Sequence, residues 1–72
     1  MKFSYYADTD SLYIDLADRP SVDSREVTPD VVIDVDAENR IVGIEIQHAS
    51  EVVDLSRLES ESLPVSSAPR IP

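Results

Sequence analysis

The stretch that most constrains this chain runs from Asp30 to Gln47, DVVIDVDAENRIVGIEIQ, where two runs of alternating apolar residues flank a polar turn. Side chains on a β-strand point to opposite faces in turn, so Val31, Ile33 and Val35 share one face, and Val42, Ile44 and Ile46 share one face of the return strand. A hairpin that presents both sets to one core has to oppose an odd-numbered with an even-numbered position, such as Ile33 with Val42, because a slip of one residue turns every side chain over. That parity selects an even loop. Closure on Val35 and Arg40 leaves Asp36-Ala37-Glu38-Asn39, a connection built around a type I turn, with Asn39 best suited to positive φ at its end. An odd loop needs a compensating bulge, and Gly43 is the place for it.

Upstream, Lys2 to Tyr6 set Phe3 and Tyr5 against Ser4 and Tyr6, the period of a strand. Ala7 to Asp10 carry turn chemistry, since aspartate side chains close local turns onto following amides. Residues 11–16 alternate again, Leu12, Ile14 and Leu16 against Tyr13 and Asp15, which predicts a first hairpin. Residues 17–24, ADRPSVDS, have no apolar period and read as a loop. Arg25 to Thr28 offer a strand extension, but Pro29 lacks an amide donor and fits only an edge, a strand start or a bulge, so the third strand is expected from Val31.

After Gln47 the period changes. Ser50 suits an N-cap, Glu51 the first turn, and Val52, Leu55 and Leu58 follow at spacings of three, which predicts a short helix over 50–58. Alone it is marginal and has to pack its apolar side on the sheet. From Glu59 the chain is rich in Ser and Pro without periodicity, as expected for a disordered tail over 59–72. The expectation is one α+β domain over 1–58. It is a four-stranded antiparallel sheet of two consecutive hairpins in sequential order, with one C-terminal helix covering the face of Leu12, Ile14, Ile33 and Ile44.

A domain this small buries a modest share of its surface, and the chain has no cysteine to build a disulfide or a thiolate zinc site. Self-association is the remaining support, and the uncovered sheet face supplies Tyr6, Tyr13, Val32 and Ile41 as interface candidates for a homodimer. Fifteen Asp and Glu against six Lys and Arg give a net charge of −9, which disfavours nucleic-acid binding; such a charge is first an ordinary route to solubility, and it also steers the domain toward a basic partner. No apolar run suits a signal peptide or a membrane span, so a cytoplasmic protein without membrane contact is expected.

Two segments are similar to a small bacterial and archaeal family of unknown function, numbered 2283. They are Tyr6-Ala7-Asp8-Thr9-Asp10-Ser11-Leu12-Tyr13-Ile14 and Val42-Gly43-Ile44-Glu45-Ile46, within a resemblance that spans about residues 1–58. The family typically carries glycine where this chain has Asn39, a departure that a residue tolerant of left-handed backbone absorbs. The resemblance brings no settled activity. Its members sometimes stand beside genes resembling small toxins, which implies an antitoxin-like role toward a small basic protein.

Several side chains invite a sharper chemistry. Asp34, Asp36, Glu38 and Glu45 fall at the first, third, fifth and twelfth positions of an EF-hand-like loop, but the sixth is Asn39 instead of glycine and both flanks read as strands. Asp8 and Asp10 pair in a turn. His48 has Glu45 and Glu51 three residues to either side, yet a zinc site wants three protein ligands and the strand ends between them. Turn structure is a better reading of the carboxylates than metal ligation, a junction histidine bonded to backbone or water is the better reading of His48, and no cofactor is expected. With no cysteine, no nucleophile elbow and no glycine-rich phosphate loop, the chain does not read as an enzyme. Two function classes follow: a homodimeric acidic interaction module, or a small-ligand or divalent-metal-binding domain using its carboxylate turns.

Overall fold

The computed structural model describes residues 1–64. Two strands, Lys2–Tyr6 (β1) and Ser11–Asp15 (β2), form the first hairpin, with Tyr6 opposite Ser11 and Lys2 opposite Asp15. The turn between them ends on Asp10, which takes φ 54°, a left-handed conformation that aspartate tolerates better than most residues.

A strand forms where the sequence pattern predicts loop and start-up residues. Asp23–Thr28 (β3) pairs antiparallel with Val31–Val35 (β4) across a tight turn at Pro29-Asp30. The sheet therefore has five strands, not four. All six β3 residues are exposed, so it shows no buried alternation: an edge strand is held by its main-chain ladder, and its side chains need no core period. Pro29 lies in the turn, where its missing amide costs nothing.

In the second hairpin Ile41–Ile46 (β5) returns beside β4, pairing Ile33 with Ile44 and Val31 with Ile46. The odd-with-even parity holds, displaced by two residues from the expected Ile33–Val42 pair. The loop is odd, and a bulge accommodates it: Asp34 opposes Gly43 but Val35 opposes Ile41, which leaves Val42 as the extra residue beside Gly43. Asn39 donates its amide to the Asp36 carbonyl at 3.0 Å and takes φ 66°, closing a type I turn with a left-handed residue after it.

The strand order is β1-β2-β5-β4-β3, all antiparallel. The expected sequential order is thus corrected: β5, the most apolar strand, takes the centre between β2 and β4. The helix is also shorter than its pattern suggested. It spans Ala49–Val52 (α1) and gives way to extended backbone at Val53 (φ −130°, ψ 161°). Among the described residues only Val35, Val42, Ile46 and Ala49 are buried hydrophobics. One turn of helix is too small to roof a five-stranded sheet, and residues 53–58 take over part of that role as irregular chain. Residues 59–64 form no helix or strand, and the remainder of the tail, 65–72, lies outside the described residues.

Candidate functional site

The carboxylates that first suggest chemistry are distributed into three separate structural tasks. Asp36, 6% exposed, sits at the head of the β4–β5 turn. Its Oδ1 accepts the amides of Glu38 and Arg40, both at 2.9 Å, and its Oδ2 accepts Arg19 Nε at 2.7 Å and Arg40 Nε at 2.9 Å. These donors, the Arg40 amide foremost and the Glu38 amide and both guanidiniums after it, outweigh burial and hold the carboxyl down at about 2. Glu38 turns outward and pairs with Arg40 at 2.7 Å.

Asp34 works on the opposite side of the sheet from the apolar set. Its Oδ2 accepts the Tyr13 hydroxyl at 3.0 Å and its Oδ1 the Ser24 hydroxyl at 2.7 Å, tying β2, β4 and β3 together. The Tyr13 ring reaches this acceptor by crossing Gly43, and its Oη stands where a Cβ on residue 43 would be. Gly43 is thus glycine for close approach, since the aromatic ring fills the space its missing side chain leaves. Burial first, then the bond to Asp34, raises the Tyr13 pKa. Glu45 lies between Tyr13 and Val32 in the same cross-strand row and makes no such link.

The third cluster joins the turns at one end of the sheet to α1. Asp10 accepts the Tyr5 hydroxyl at 2.7 Å, the Ser50 hydroxyl at 2.7 Å and the Ser50 amide at 3.1 Å, while its carbonyl takes the Ala49 amide at 2.8 Å. Asp10 thereby serves the orphan amides of a helix forty residues away, a role expected of Ser50. These bonds, Ser50 first, lower its pKa, and the same carboxylate raises that of Tyr5. His48, the N-cap residue in left-handed backbone, directs Nδ1 to Asp30 Oδ1 at 2.9 Å, which raises its pKa.

The five metal candidates Asp34, Asp36, Glu38, Glu45 and His48 are not brought together. Among the described residues no three His, Asp or Glu side chains group as a metal site. The interface candidates are similarly spread: Tyr13 and Val32 flank Glu45, Tyr6 lies on the outermost strand, and Ile41 stands at the far end of β5 by the bulge. Tyr6, Tyr13 and Val32 are apolar islands on a mainly polar face, whereas the bulge pairs Ile41 with the buried Val35 and so turns it to the apolar face, against the expectation for it.

The apolar face, by contrast, is open. A groove of about 600 Å³ runs between the sheet residues Phe3, Tyr5, Leu12 and Ile14 and the chain segment bearing Leu55 and Leu58. Phe3 and Tyr5 are 45% and 46% exposed, and Leu58 76%. Of the stripe expected at Val52, Leu55 and Leu58, the two leucines line the groove but on irregular chain, while Val52 ends α1 and its neighbour Val53 lines the groove instead.

No helix among the described residues is long and apolar enough to cross a membrane. No curated protein and no solved structure matches the chain. A family model does match, over residues 2–50, which hold both hairpins, β3 and the start of α1. With its Asp10 turn, its Tyr13-covered Gly43 and its five-stranded sheet inside that span, the chain belongs to the family described as Protein of unknown function (DUF2283).

Proposed function

We propose that the domain is a non-catalytic, acidic protein-interaction module that works as a homodimer, and that its anionic surface receives a small basic protein in the manner of an antitoxin. The observation that carries this reading is the open groove along β1 and β2. A sheet whose described residues bury only four hydrophobic side chains has too small a core to stand far above the entropy of ordering its chain, and a second subunit packed at β1 takes part of the exposed Phe3 and Tyr5 surface out of water. The net charge of −9 supports the basic partner, because opposite surface potential speeds encounter and selects against anionic competitors. Committed carboxylates point the same way: Asp10, Asp34 and Asp36 hold the fold together and leave the outward acids for a partner.

Sedimentation equilibrium at micromolar concentration is expected to return twice the chain mass, and a folded monomer there defeats the homodimer. A small basic protein from the native host is expected to co-purify and to be released by salt. Salt-insensitive retention would contradict the charge argument.

A further inference from the structure

The two edges of the sheet are built differently. β3 is guarded: a bulge at Val27, the charges of Asp23, Arg25 and Glu26, and Pro29 at its end all discourage another strand from pairing with it. β1 has neither a bulge nor a proline, and its one charge, Lys2, stands at its very start. Its pairing with β2 runs unbroken from Lys2 to Tyr6, and three of its five side chains are aromatic.

The main-chain groups that β1 leaves free follow from the ladder. Leu16 donates its amide to the Val42 carbonyl at 2.9 Å, across to β5. In an antiparallel pair the N–H and C=O of one residue point to the same side, and that side alternates along the strand. Even-numbered residues of β2 therefore bond to β5, and odd-numbered ones bond to β1, which engages Tyr6, Ser4 and Lys2 through Ser11, Tyr13 and Asp15. The amides and carbonyls of Phe3 and Tyr5 point outward from the sheet.

We infer that β1 pairs antiparallel with β1 of a second copy, about a two-fold axis at Ser4, to make one continuous sheet across the dimer. The register is self-complementary. Phe3 meets Tyr5 of the second copy, and each such pair exchanges both main-chain hydrogen bonds through the groups left free in the monomer. On the apolar face this sets Phe3 against an aromatic partner and joins the two grooves across the seam. On the other face Lys2 meets Tyr6 of the second copy, a cation over an exposed aromatic ring. No like charges are opposed.

This geometry rests on the homodimer proposed above and adds to it a strand, an axis and a register. Because the chain has no cysteine, a single introduced thiol reports on it cleanly. At a non-hydrogen-bonded pair the two Cα atoms stand about 4.5 Å apart, within disulfide range, so Ser4→Cys is expected to form a covalent dimer in air. Lys2→Cys places its two thiols some four residues apart along the strands, about 13 Å, and is expected to stay uncrosslinked. In the wild-type protein, amide exchange at Phe3 and Tyr5 is expected to slow as concentration rises. A wild-type dimer whose Ser4→Cys variant does not crosslink, or whose Phe3 and Tyr5 amides exchange freely, overturns the β1 seam and leaves the homodimer standing. A wild-type monomer overturns both.

Discussion

Asp36 concentrates more of the fold's polar bonding than any other side chain described, and its acid response follows from that. Its folded pKa, about 2, lies below the ordinary carboxylate value of 3.8, so its contribution to stability is present above that value and is lost as pH falls toward 2. Asp36→Asn keeps the shape and removes the charge that Arg19 and Arg40 share. The variant is expected to be less stable at neutral pH, and its deficit relative to wild type to shrink between pH 3.8 and 2, measured by urea unfolding across that range. Asp10 and Asp54 are lowered too, so an acid limb persists in the variant. His48 has the opposite sign. Asp30 raises its pKa above 6.5, so its contribution is complete below that value and fades as pH rises through the folded pKa. Imidazole titration by NMR is expected to place His48 above 6.5 and Asp30→Asn to return it toward that value.

Among the elements, the β2–β5–β4 centre depends on a ring lying over a glycine. Gly43→Ala drives Cβ into Tyr13, which has to swing away and release Asp34. The expected cost is about 1–3 kcal/mol, as for other overpacked sites. In a Tyr13→Ala background the same substitution is expected to cost less, with a coupling of at least about 0.5 kcal/mol in the double-mutant cycle; additive costs would separate Gly43 from the ring. Much of this level was legible from residue order. β1, β2, β4 and β5 follow their alternation, and Asn39 takes the positive φ that its type and place suggested. β3 was not legible, because an exposed edge strand carries no period. Strand order and the true cap of α1 were hidden for another reason: β5 beside β2, and Asp10 beneath Ser50, are meetings of residues far apart in the chain, and local pattern carries no trace of them.

At the scale of the whole molecule the unfinished core ties stability to concentration. A folded monomer melts at a temperature independent of how much protein is present, whereas a dimer whose subunits unfold as they separate gains stability by mass action. Each tenfold rise in concentration adds about 1.4 kcal/mol per dimer, RT times the logarithm of ten. For a folded unit near the combined size of two such chains, that corresponds to a rise of roughly 3–6 °C in melting temperature. Calorimetric scans across two decades of concentration are expected to show it. Phe3→Lys tests the same linkage from the other side, because it puts a charge on the apolar face at the proposed seam while leaving the β1–β2 ladder its own main-chain bonds. Its melting temperature is expected to be lower and flat with concentration. A wild-type melting temperature that is equally flat would mean that the residues 53–58 and their groove suffice, and that one copy of this sheet completes its own fold.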